Sequence, residues 1–117
     1  METEDIAKCD FNPWRPITDS APLRRLGKFG EELAECSAAV SRCIIQGIDE
    51  SEPVTGKVNR QWLENEIADV MANIETVIDF FQLDTVAMYR RARLKKDVLI
   101  KWNTAVDNEA KQESKSG

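Results

Sequence analysis

Five acidic residues stand at intervals that would set them side by side on helices. Glu31, Glu32 and Glu35 fall within the run Glu31-Glu32-Leu33-Ala34-Glu35, and Glu66-Ile67-Ala68-Asp69 repeats the three-residue interval. Residues three apart project from one face of a helix, so Glu32 with Glu35, and Glu66 with Asp69, each offer two carboxylates in one direction. Lys28 lies one turn before Glu32, and Asn73 one turn after Asp69. Two such helices packed together would gather four carboxylates, a hard oxygen donor set that suits Mg2+, with Mn2+ as a substitute. A Mg2+ held this way keeps some waters and takes further ligands from phosphates. The chemistry that follows is phosphoryl chemistry. The metal neutralises charge on a phosphate chain, and a spare carboxylate orients or deprotonates water.

Composition narrows the alternatives. The chain has no histidine, which removes Ser-His-Asp and Cys-His mechanisms, histidine zinc sites and Glu-x-x-His di-iron bundles. Cys9, Cys36 and Cys43 are an odd set. Cys36 and Cys43 would sit roughly 10 Å apart along one helix, too far for a disulfide, so reduced thiols of a cytoplasmic protein are expected. A net charge of −5 argues against stable nucleic-acid binding, which calls for a basic surface. Gly56-Lys57 is not a phosphate-binding loop, because the preceding glycine is distant at Gly47 and Val58 stands where Ser or Thr is needed. No stretch reads as a signal peptide or is apolar enough to span a membrane.

Few breakers interrupt the chain after residue 22, and an all-α fold of about three long helices is expected. Residues 1–19, with Phe11, Pro13, Trp14 and Pro16, read as an extended arm. A first helix should start near Ser20 as its N-cap, with Pro22 tolerated in the first turn, and end near Gly47. Leu23, Leu26, Phe29, Leu33, Val40 and Ile44 recur along it at close to helical spacing. Gly27 and Gly30 inside it cost up to about 1 kcal/mol each, which suggests close approach of another backbone, of a ligand, or a local packing need. Residues 47–58 read as a loop. A second helix should run from about Asn59, as N-cap, to about Gln82. Its apolar residues cover more than one face, as expected of a helix buried against its own domain and a second subunit. Glu66 and Glu75 are nine residues apart, which puts them about 180° apart around the helix. If Glu75 faces solvent, Glu66 and Asp69 face inward, where unpaired carboxylates are costly; a shared cation resolves this. Asp84 should cap a third helix from about Thr85 to Ala105, with Arg90, Arg91, Arg93, Lys95, Lys96 and Lys101 on its polar surface. The segment 107–117 reads as a flexible tail. The whole is expected to be one domain over 20–106, completed by oligomerisation.

The two carboxylate motifs, with Leu26-Gly27-Lys28-Phe29-Gly30 before the first and Glu64-Asn65 before the second, resemble the signature of the MazG-like all-α nucleoside triphosphate pyrophosphohydrolases, which are related to dimeric dUTPases. The resemblance covers roughly residues 23–102. It implies Mg2+-dependent hydrolysis of a (deoxy)nucleoside triphosphate between the α and β phosphates, releasing the monophosphate and pyrophosphate. It implies a metal held by Glu32, Glu35, Glu66 and Asp69, and water activated by Glu31 or one of these ligands. Lys28, Arg93 and Lys96 would then meet phosphates, with Asn73 also a substrate contact. Trp14 and Trp62 would stack on the base or pack in the core. A homodimer or homotetramer is implied. The chain also resembles short phage-encoded members, including the MazZ type that acts on dGTP, which would place it in the host cytoplasm. Two departures stand out. Thirty residues separate Glu35 from Glu66, longer than is usual in the family, and the helix that normally precedes the glutamate helix is reduced to the Pro/Trp arm. The alternative is a non-catalytic helical interaction module that uses the apolar second helix as an interface.

Overall fold

The computed structural model describes residues 13–116. Phe11, Cys9 and the rest of the arm before Pro13 lie outside the described residues. The fold is all-α, with three helices and no strand among the described residues: α1 (Ser20–Gln46), α2 (Asn59–Phe81) and α3 (Thr85–Ser116). They fall into two compact units, one carrying α1 and α2 and ending at Phe80, the other beginning at Phe81 and carrying α3. No helix among the described residues is long and apolar enough to cross a membrane.

In the first unit α1 and α2 run antiparallel. Cys43 meets Asn59, Arg42 meets Trp62, Glu35 meets Glu66, and Arg25 meets Phe80. Pairing therefore descends along one helix as it ascends along the other. The start of α1 differs from expectation: Asp19 is the N-cap and Ser20 is already helical. Asp19 makes no side-chain capping bond. Pro22, now at the third helical position, lacks one of the two N–H groups such a cap uses. At the other end Gly47 takes φ 103° and donates its N–H to the Cys43 carbonyl at 3.0 Å. That conformation suits glycine, which carries no Cβ.

The segment between α1 and α2 is tied down rather than loose. The buried Glu52 carboxylate accepts from the Val54 N–H at 2.9 Å, and from the Thr55 N–H and hydroxyl, each at 2.7 Å. These bonds hold its pKa below the ordinary glutamate range. Arg60 grips Asp49 through two bonds of 2.7 and 3.0 Å. Asn59 is wholly buried. Instead of capping α2 it is the helix's first residue, and its amide donates to Gln46 Oε1 at 3.1 Å and the Gly47 carbonyl at 3.0 Å. The end of α1 and the start of α2 are thus clamped by one side chain.

This unit has a thin interior. Ala39 and Val77 are its buried apolar residues, and of the expected stripe on α1 only Phe29 is half-buried. Leu23, Leu26, Leu33, Val40 and Ile44 remain exposed. A pair of helices encloses one seam, narrower than the apolar arc that α1 presents. Among the described residues nothing lies within 4 Å of where a Cβ would stand on Gly27 or Gly30, so no close approach among them accounts for either glycine. In the second unit the Asp84 carboxylate accepts the Ala87 N–H at 3.0 Å, capping α3 as expected. Beyond Ala105, α3 continues to Ser116 through the segment expected to be a tail. Glu109, Ala110, Lys111, Gln112 and Glu113 are good helix formers with no breaker among them.

Candidate metal centre

Residue Glu32 is buried on the α1 surface that faces α2. One of its oxygens pairs with Lys28 Nζ at 3.2 Å, and the other, Oε2, is buried without a hydrogen-bond partner. Glu66, half-buried on α2, repeats the pattern. Its Oε1 accepts from Trp62 Nε1 at 3.2 Å while its Oε2 is buried and unsatisfied. Glu35, one turn after Glu32, completes the group: Glu32, Glu35 and Glu66 each bring one oxygen within 4.8 Å of the others. Three carboxylates this close repel one another. The charge of Glu32 first, then loss of hydration and the charge of Glu66, hold the Glu35 carboxyl above the ordinary glutamate range.

Orphaned buried carboxylate oxygens are costly, and here two of them share a cluster with a third acid. This is the donor chemistry of a hard divalent cation, so the residues fit Mg2+ or Mn2+. Around the cluster, Lys28 balances the charge on one side, bridging Glu32 and, at 3.6 Å, Glu31. Both carboxylates raise its affinity for its proton, the Glu32 hydrogen bond most.

The remaining residues named from the sequence fall as follows. Glu31 is exposed beside the cluster. Asp69 is exposed and is not among the acids gathered within 4.8 Å. Glu75 is exposed, the solvent-side position expected from its half-turn offset to Glu66. Asn73 is half-buried and donates to the Asp69 carbonyl of its own helix at 2.8 Å. Trp62 is engaged on several sides. Arg42 lies 4.5 Å and Lys57 5.6 Å from its ring centroid, and its N–H is given to Glu66. In this arrangement it acts as an internal support for Glu66 rather than an open stacking platform. Trp14 is exposed in the irregular segment before α1. Arg93 and Lys96 are on α3, in the other unit.

Sequence reasoning missed Arg42 and Lys57 and read Asn59 only as a helix cap; the roles of all three depend on contacts between α1, the connecting segment and α2. It also passed over Arg24 and Arg25. Together with Lys28, Asn73 and Thr76 these line a groove of about 430 Å3. Their signal was in plain view: two arginines one turn before Lys28. Compared with protein-family models, with curated proteins and with solved structures, the chain matches none.

Proposed function

We propose that this chain is a Mg2+-dependent (deoxy)nucleoside triphosphate pyrophosphohydrolase of the MazG-like kind, cleaving between the α and β phosphates to give a nucleoside monophosphate and pyrophosphate. One observation carries the reading: the Glu32, Glu35 and Glu66 cluster with its two unsatisfied buried oxygens. These three residues would hold the cation, with Asp69 as the fourth ligand that the resemblance implies. Bound there, the cation would supply charge neutralisation along the phosphate chain. The chain's own groups do the rest. Glu31, exposed beside the cluster, is the candidate to orient the attacking water and take its proton. Lys28 neutralises Glu31 and Glu32 from the N-terminal side and stands ready to meet a phosphate. Trp62 fixes the rotamer of Glu66 through its N–H.

We also propose that the protein works as a homodimer or homotetramer. Support comes from apolar side chains left in water on α1 and α2, among them Ile44 at 79%, Ile45 at 81% and Met71 at 59% exposure. An apolar surface of this extent marks an interaction site more often than ordinary surface. The test of the activity is a panel of canonical and modified (d)NTPs, dGTP included, incubated with protein and Mg2+ and resolved by product. Monophosphate and pyrophosphate are expected from at least one substrate. A panel left intact with both Mg2+ and Mn2+ would favour the interaction module instead.

A further inference from the structure

The groove beside the cluster has a composition of its own. Arg24, Arg25 and Lys28 come from two turns of α1, and Asn73 and Thr76 from the facing turn of α2. Its volume of about 430 Å3 is that of a small-ligand site. A second depression of about 370 Å3 shares Arg25 and Thr76 and adds Asp79 and Phe80. Along α1, charge separates sharply: Arg24, Arg25 and Lys28 precede Glu31, Glu32 and Glu35. Arg24 and Glu32 are eight residues apart, roughly 12 Å of helix rise.

The three cations are not equivalent. Lys28 is committed to Glu31 and Glu32. Arg25 lies 4.1 Å from the Phe80 ring centroid and donates to the Ala21 carbonyl at 3.1 Å, which holds the side chain in place without neutralising it. Arg24 makes no ion pair among the described residues. Neither arginine therefore forms a close ion pair there, although Asp79 shares the second depression with Arg25 and three acids stand two to three turns further along α1. The groove is a positively charged trough that ends at a carboxylate cluster.

We infer that this groove binds a polyphosphate chain, with Arg24 and Arg25 as its anion contacts and Lys28 at the junction with the metal cluster. The inference rests on the proposed function for the identity of the whole substrate, but the groove's own ligand class follows from its charge. Guanidinium groups bind phosphate oxygens through paired N–H donors, and Asn73 retains one amide hydrogen beyond the one it gives to Asp69. The assignment adds Arg24 and Arg25 to Lys28 as phosphate contacts on α1.

The experiment titrates the full chain with inorganic tripolyphosphate by calorimetry, with and without Mg2+, and measures KM and kcat for any hydrolysed (d)NTP. Arg24→Gln is the main variant, Arg24→Gln/Arg25→Gln the second, and Lys111→Gln the control. Circular dichroism verifies folding; if the double variant unfolds, Arg24→Gln decides alone. The expected result is a five- to tenfold loss of tripolyphosphate affinity in Arg24→Gln, about 1 kcal/mol by the affinity relation, with KM raised and kcat little changed. Lys111→Gln should match wild type. Undiminished tripolyphosphate binding in Arg24→Gln, no binding by wild type, or equal affinity for orthophosphate would each overturn the inference. Hydrolysis with an unchanged KM in Arg24→Gln overturns the groove but leaves the proposed function standing. Tripolyphosphate binding that falls in Arg24→Gln, in a protein that hydrolyses no (d)NTP, supports the groove and removes the proposed function.

Discussion

Glu35 holds its proton more tightly in the folded chain than in the unfolded one, because Glu32 and Glu66 stand beside it. Between the two values the native state binds more protons, so this group's contribution to stability is fully present below the ordinary glutamate range and is lost as pH rises from there through the raised folded value. A cation in the cluster, or Glu35→Gln, removes the penalty. We therefore expect metal-free Glu35→Gln to melt above wild type at neutral pH and level with it in acid, in thermal scans followed by circular dichroism. The same substitution should cut (d)NTP hydrolysis about 100-fold or more, the equivalent of several kcal/mol of lost charge stabilisation. Trp62→Phe is the complementary test. It keeps a ring beneath Arg42 but deletes the N–H that holds Glu66, and supports of this kind are worth about 10–100-fold in metal affinity. Unaltered Mn2+ affinity in Trp62→Phe would remove that role. Glu32, Glu35 and Glu66 were legible from spacing and from the half-turn between Glu66 and the exposed Glu75. Trp62 was legible only as a residue four before Glu66; the cations on its ring come from Arg42 and Lys57, which no local pattern links to it.

At the scale of elements, the knot between α1 and α2 sets the register that brings Glu66 to Glu32. Asn59 is its centre, and Asn59→Ala leaves the Gly47 carbonyl and the Gln46 side chain without their donor. Chemical denaturation of the metal-free protein should show a loss of about 1–3 kcal/mol; a loss below about 0.5 kcal/mol would mean that the register is set elsewhere. The helices themselves were largely legible, because apolar periodicity and the scarcity of breakers after residue 22 leave little choice. Their ends were less so. Ser20 and Asn59 both carry capping side chains, yet each lies inside its helix, Asn59 because its amide is recruited by the end of α1. Asp84, with no such competing partner, caps α3 as its residue type suggests. The extension of α3 to Ser116 shows polar composition read as a tail where helix propensity continues.

For the whole molecule, the apolar residues of α1 and α2 outnumber the places a two-helix seam can bury. Ala39 and Val77 are enclosed while Leu33, Ile44, Ile45 and Met71 are not. The sequence marked Leu33 and Ile44 by helical period and read the second helix as covered in part by another subunit, but period alone cannot say which surface covers each position. Self-association supplies that cover in the proposal, so light scattering should give a mass of at least twice 13.3 kDa, and Ile44→Glu/Ile45→Glu should reduce it. A monomeric wild type would contradict the proposed assembly. The claim on which everything else depends is that Glu32, Glu35 and Glu66 form a cation site. The most direct measurement is Mn2+ binding to the wild-type chain and to Glu66→Gln, followed by electron paramagnetic resonance of the free ion. The account predicts Mn2+ bound by wild type, displaced by excess Mg2+, and lost in folded Glu66→Gln. A wild type that leaves Mn2+ free, or a Glu66→Gln that binds it undiminished, would contradict it.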